Sequence, residues 1–341
     1  MNNDTFLVIT SIAAASNLVL KQYAFECHNR KIPFIVIGDV SSPNDFKLEG
    51  CDFLSIDDQC ALDFETARQS PLRHYARKNI GYLQAIAQGA KIIIETDDDN
   101  LPFTSFWQLR NAHFDAVSCA ENADWLNVFP YFTDTTPIWP RGFAADQFQK
   151  PTPPLSIFPK KSAIFCPIQQ NMSDLNPDVD AIYRLSLPLP VSMRPVGQLA
   201  LGQGTWCPFN SQNTTWFEDA FPLLYLPAYC SFRMTDIWRS FVTQRICWEN
   251  DWFVLFQGAN GWQERNEHNL LKDLEDETIG YLNNGKIVKK LAKLDLKGGK
   301  QHIFNNMITC YEAFIDSKLI DKKELTLLSA WADDFHKIKL Q

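Results

Sequence analysis

Apolar positions along the chain fall into two registers. "TFLVITS" (5–11) and "PFIVIGD" (33–39) are continuous apolar runs closed by polar residues, the pattern of strands buried on both faces. Between them "NLVLKQYAFECHNRK" places apolar residues at helical spacing, so 5–39 predicts a β-α-β unit. Residues 71–89 carry Tyr75, Ile80, Leu83 and Ile86 at near-helical steps between Pro71 and Gly89, which predicts a helix. "KIIIETDDD" then predicts another strand. Such alternation indicates an α/β domain with a mostly parallel sheet. Ligands of these sheets bind at the carboxyl ends of the strands, where Thr10, Ser11, Asp39 and Asp97–Asp99 all stand.

The pattern changes over 130–230. "PIWPRGF", "PTPPLSIFP" and "RLSLPLPVSMRP" are rich in Pro and aromatic residues, which predicts ordered loops rather than linkers or long helices. "WFVLF" (252–256) is the last strand-like run. From about 265 the chain turns charged and helical, so the expected division is 1–265 for the sheet-bearing domain and 266–341 for a helical C-terminal region. Within the latter, 284–300 would align Ile287, Val288, Leu291 and Leu294 on one face below a set of lysines. That face either packs on the core or gives peripheral contact with an anionic membrane.

Composition narrows the function classes. A hydrophobic content of 45% over 341 residues supports a large core and excludes a disordered chain. The net charge of −8 argues against a nucleic-acid binder. The N-terminal stretch lacks a basic n-region, and no run approaches the ~18 apolar residues of a membrane span. Nine cysteines with no C-x-x-C pair suit neither a zinc site nor a disulfide framework, and a cytoplasmic location is expected.

The chemistry concentrates in "ETDDDN". If the chain is extended there, Asp97 and Asp99 share a side and could both reach one divalent ion, while the alternative is a solvated acidic turn. Hard oxygen donors suit Mg²⁺ or Mn²⁺, which also take phosphate oxygens. A calcium loop, a P-loop, a dinucleotide-binding G-x-G-x-x-G and a G-x-S-x-G elbow are all missing from the sequence.

Several segments in order, "ETDDDN", "IWPRGF" (138–143), "DVDAIYRL" (178–185), "CPFNSQNTTW" with "FPLLYLPAYCSFRMTDIWRSF" (207–241), and "RNEHNLLKDLEDE" (265–277), resemble the STELLO family of glycosyltransferases. A more distant likeness is to the reversibly glycosylated polypeptides, which share a D-D-D and an R-G-[FY] element. The resemblance implies a GT-A-like α/β fold, a mixed, mostly parallel sheet flanked by helices. It also implies a D-x-D at Asp97 and Asp99 that holds Mn²⁺ or Mg²⁺ against a nucleoside diphosphate. Asp98 would then meet the ribose or the sugar. The membrane anchor of the plant members has no counterpart in this sequence, so their location is not carried over.

The same resemblance suggests roles for further residues, each beside a plainer one. Thr10 lies at the expected nucleotide-sugar edge. Asp39 stands where GT-A proteins place an acid near the base or ribose, or it caps a turn. Arg77, with Lys78 beside it, would meet the diphosphate or sugar, or else be a surface charge. Arg141 would recognise diphosphate or sugar, or pair with an acidic neighbour in a packed loop, and Trp139 would stack on a sugar face. Asp236 would cap a helix and, in an inverting reaction, act as general base. His268 would be a third metal ligand and Arg265 a diphosphate partner. The function expected is transfer of a sugar from an NDP-sugar, a UDP-sugar first among them, to a glycan or other acceptor hydroxyl. The alternatives are a UDP-sugar mutase and a non-catalytic scaffold.

Overall fold

The computed structural model describes residues 4–120, 124–264 and 269–340. Strand β1 (Thr5–Thr10), helix α1 (Leu18–Arg30) and strand β2 (Phe34–Ile37) form the expected β-α-β unit, with β1 and β2 parallel. Helix α1 starts where the Asn17 side chain accepts the Leu20 N–H, and it ends on Lys31 in the left-handed conformation. Strand β3 (Asp52–Leu54) and the short helices α2 (Ile56–Ala61) and α3 (Glu65–Gln69) follow. The helix expected over 71–89 is a 3₁₀ turn, Tyr75–Arg77, running into α4 (Lys78–Ala87).

Strand β4 (Ile92–Glu95) ends two residues before the aspartates, and the chain turns back through β5 (Asn100–Pro102). Beyond β6 (His113–Cys119) lie β7 (Asp124–Trp125), β8 (Lys160–Phe165), β9 (Ile168–Asp174), the short helix α5 (Ala181–Ser186), β10 (Gln198–Leu201), β11 (Thr205–Trp206) and β12 (Thr214–Phe217). Helix α6 (Thr235–Trp248) leads to β13 (Val254–Gln263), and the chain finishes with α7 (Leu270–Leu291), α8 (Ile303–Asp316) and α9 (Glu324–Leu340). The loop-rich middle and the helical C-terminal part are as the pattern predicts.

The main sheet runs β3-β2-β1-β4-β12-β9-β13-β10-β6-β8, with β5 on β13. Its first four strands are parallel; from β12 onward parallel and antiparallel pairs mix. This is the mixed α/β architecture expected of a GT-A-like chain. Helix α1 packs on one face through Val19, Leu20, Tyr23 and Cys27 against Leu7, Phe34 and Ile94. The other face carries the larger core, which is continuous from Val8 and Ile80 through α6 to Trp331 and Phe335 in α9. The boundary near 265 therefore marks a change of secondary structure within one core. Ile287, Val288 and Leu291 are buried in that core, so the apolar face of the lysine-rich segment is not open to a membrane. Among the described residues no helix is long and apolar enough to cross one.

Candidate functional site

Two adjoining chambers open at the carboxyl ends of β1, β2 and β4. The first, about 340 Å³, is lined by Thr10, Ser11, Asp39, His74, Tyr75 and Arg77 among others. The second, about 270 Å³, contains Asp97, Asp98, Asp99, Arg141, Asp178 and Asp236. Thr10, Tyr75, Asp98 and Phe232 belong to both. The cleft is thus continuous, with one aspartate of the acidic run at the junction.

The acidic run is not extended. The Asn100 N–H donates to the Asp97 carbonyl at 3.3 Å, and the turn sends the three side chains to different partners. Asp97 Oδ1 accepts from Lys78 Nζ at 3.0 Å; this lysine is wholly buried and also donates to the Thr96 carbonyl at 3.1 Å. Asp98 accepts from the Ser11 hydroxyl. Asp99 accepts from Asn100 Nδ2 at 2.9 Å and Gln263 Nε2 at 3.0 Å. The shared side predicted for Asp97 and Asp99 fails because the β4–β5 reversal occupies these positions. Part of the balancing charge lies in the chain itself, on Lys78.

Can this donor set hold a divalent ion? Among the described residues no three carboxylate, thiol or imidazole groups are arranged to hold a metal by themselves. Mg²⁺ and Mn²⁺ need less from the protein, since one or two carboxylates suffice when phosphate oxygens and waters complete the shell. Lys78 pairs with Asp97, one of the three carboxylates that make the turn acidic. Hard oxygens and this charge fit a divalent ion shared with a diphosphate. His268 and Arg265 lie outside the described residues.

Asp39 serves the first chamber as both wall and turn anchor. Its carboxylate accepts from the Val40 N–H at 2.7 Å and from the His74 N–H at 3.0 Å, tying the β2 loop to the 71–75 segment. The His74 ring lies parallel to Tyr75 (5.6 Å between centroids), and Phe232 meets Tyr75 edge-on at 4.8 Å. Burial pushes the His74 imidazole down to about 4, so it is neutral at pH 7 despite the nearby Asp39. Arg77 is 2% exposed and is no surface charge. It sits in the first chamber, where Nε donates to Gln59 and Nη1 to the Ser70 carbonyl, away from the acidic run.

In the second chamber Arg141 is clamped between two carboxylates. Nε and Nη2 reach Asp178 at 2.9 Å, and Nη1 and Nη2 reach Asp236 at 3.0 and 2.9 Å. Gly142 makes this approach possible: it has φ +83°, and a Cβ there would lie 2.3 Å from Ile237 Cγ2 of α6. Burial alone would raise both carboxyls, but the Arg141 charge and hydrogen bonds outweigh it and hold them below the usual carboxylate range. Asp236 also accepts from the Ile237 and Ser211 N–H groups, which fills its acceptor positions. Saturated and more acidic than usual, it anchors the Arg141 clamp in this arrangement. Arg141 is likewise the acid-paired arginine of the packed-loop alternative.

Trp139 packs inside the protein. Its ring is 7% exposed, lies parallel to Phe148 at 4.4 Å, and donates from Nε1 to Asp180 at 2.7 Å. Neither chamber includes it. Beneath the site Glu95, at the end of β4, pairs with Arg239 of α6 at 2.7 Å and accepts from Trp216 Nε1 at 2.7 Å. This buried pair ties the strand carrying the acidic run to the helix carrying Asp236. Tyr75, Asp178, Phe232 and Gln263 are among the site residues that pattern alone does not select. Asp178 stands in the quoted "DVDAIYRL" segment, and Tyr75 had the spacing of a core residue.

Residues 233–341, from the turn before α6 onward, match the family described as STELLO glycosyltransferases. Two curated Arabidopsis thaliana proteins align over 88% of this chain: "Probable glycosyltransferase STELLO2", 27% identical, and "Probable glycosyltransferase STELLO1", 26% identical. This chain resembles the STELLO glycosyltransferases. It spans about two fifths of those relatives' length, 41% and 40%. Arg233 and Asp236 fall in the matched part and line the second chamber.

Proposed function

We propose that the protein is a metal-dependent glycosyltransferase that takes a UDP-sugar and passes the sugar to an acceptor hydroxyl. One observation carries this: Asp98, Thr10, Tyr75 and Phe232 line both chambers, so the acidic turn stands where an aromatic-walled pocket meets an acid-rich one. The nucleoside occupies the first chamber beside Asp39, His74 and Tyr75, and the sugar occupies the second. The diphosphate runs past Asp98.

Asp98 and the exposed side of Asp97 would hold the divalent ion, with Asp99 oriented by Asn100 and Gln263. When bound, the ion would offset the charge that gathers on the departing diphosphate. The acceptor oxygen bonds to the anomeric carbon as the bond from that carbon to the diphosphate oxygen breaks. UDP leaves with the bonding pair, and the hydroxyl proton passes to a base. The Asp178–Arg141–Asp236 clamp keeps the wall of the sugar chamber rigid, a contribution through positioning.

A mutase that interconverts the ring form of a UDP-sugar would use the same nucleotide pocket. Incubation with a panel of UDP-sugars, Mn²⁺ and simple glycan acceptors separates the two. A transferase releases UDP and extends the acceptor, whereas ring interconversion without acceptor and without free UDP would replace this proposal.

A further inference from the structure

A second, differently built pocket lies on the opposite face of the sheet. Thr215, Gln169, Leu255 and Ala200 pair across β12, β9, β13 and β10 and so share one face. Their neighbours Thr214, Gln170, Phe256 and Leu199 share the other, with Gln170 and Phe256 beside Arg141 and Asp178. On the first face a pocket of about 350 Å³ opens between β9, β13 and the 105–111 and 195–197 segments. It is physically separate from the acidic cleft.

The lining is amide-rich, and no carboxylate is among the described residues that form it. Gln169 donates from Nε2 to the Asn111 carbonyl at 2.7 Å and to the Cys166 carbonyl at 3.1 Å. Asn171 donates to the Gly258 carbonyl at 3.0 Å. With their nitrogens held this way, the amide oxygens remain for an incoming donor. Asn260 is 5% exposed, and its Oδ1 is a buried acceptor with no hydrogen-bond partner. The Arg110 guanidinium donates to Thr215 Oγ1 and the Gln108 carbonyl, so the one cation among the described residues of the lining is already engaged by neutral oxygens. One wall is rigid: a Cβ on Gly258 would lie 2.4 Å from the Val196 nitrogen, and Val196 itself is 68% exposed at the mouth.

Acceptor oxygens held in place, walls whose described residues include no carboxylate and whose arginine is engaged by neutral oxygens, and an exposed aliphatic rim match one ligand chemistry. Adjacent hydroxyls donate to the amides while C–H faces rest on the rim. We infer that this pocket binds a neutral saccharide at a site distinct from the acidic cleft. It needs neither nucleotide nor metal, so its test is independent of the transferase proposal.

The experiment is a calorimetric titration of the nucleotide-free protein with β-1,4-linked glucose, xylose and mannose trimers and an α-1,4-linked glucose trimer at millimolar concentration. Binding of at least one trimer is expected, weakened about tenfold or more both in Gln257→Ala, which removes an amide of the pocket lining, and in Val196→Trp, and unchanged in Asp98→Asn. The Val196 substitution lies on the surface, which keeps the test valid if Gln257→Ala misfolds. No heat with any trimer overturns the inference. So does binding that persists in both pocket variants or is lost in Asp98→Asn.

Discussion

Lys78 Nζ lies 3.0 Å from Asp97 Oδ1 with its side chain fully out of solvent, while the carboxylate keeps 32% of its surface exposed. The ammonium sets the charge of the acidic turn from below. Lys78→Met should lower stability by about 1–3 kcal/mol, because the carbonyls it caps lose a donor. The exposure of Asp97 keeps the Coulombic part of that loss small. The same variant should bind Mn²⁺ more tightly in the absence of nucleotide, since the turn regains a full negative charge. Urea denaturation and a Mn²⁺ titration check the two effects separately, and equal Mn²⁺ affinity in variant and parent would contradict the charge argument.

Arg141 illustrates what was legible in the sequence and what was not. Its R-G-F setting in a loop rich in Pro and aromatic residues marks it in the sequence, and the structure makes it the centre of a buried charge cluster. Which acids it meets depends on bringing residues 178 and 236 together, and no local pattern encodes that. The β-α-β unit, the strand before the aspartates and the C-terminal helices were legible because their periodicity is local. The turn at Asp98 and Asp99 was not, because β5 is three residues long and pairs with β13, more than 150 residues away. For Trp139 the reason is related: an aromatic in a loop reads the same whether it faces a ligand or, as here, Phe148.

Arg141→Lys should destabilise the protein by about 3–5 kcal/mol, because a single ammonium cannot reproduce the paired contacts to two buried carboxylates. Thermal and denaturant unfolding measure it. A change under about 0.5 kcal/mol would show that the clamp does not hold the wall of the chamber.

Trp139→Phe separates packing from ligand contact. It removes the donor to buried Asp180, with an expected stability loss of about 1–2 kcal/mol, and it leaves UDP affinity unchanged. A fall in UDP affinity without a fall in stability would return the indole to the binding site.

The pH dependence has two arms of opposite sign. Burial raises the Glu324 carboxyl to about 7, against the donors from Tyr225, Ala228 and Tyr229, and burial raises Asp180 to about 7 as well. Their unfolded values are near 4, so between about pH 4.5 and 7 the folded chain holds protons that the unfolded chain has lost. From these two groups stability falls as pH rises through that window. Asp178 and Asp236 act the other way, with stability present above about pH 4 and lost below it as the pH approaches their depressed folded values. Glu324→Gln should flatten the upper arm by up to about 1.4 kcal/mol per pH unit in a series of denaturation curves from pH 5 to 8. An unchanged slope would exclude a buried proton on Glu324.

The central claim is that the acidic turn binds a sugar nucleotide together with a divalent ion. Calorimetric titration of UDP into the protein with and without Mn²⁺ tests it most directly, repeated in Asp98→Asn and in Asp97→Ala/Asp99→Ala. Binding should strengthen at least about tenfold with Mn²⁺, and the aspartate variants should lose that gain while remaining folded. UDP binding of equal strength with and without the metal, or unaltered in the aspartate variants, would contradict the account.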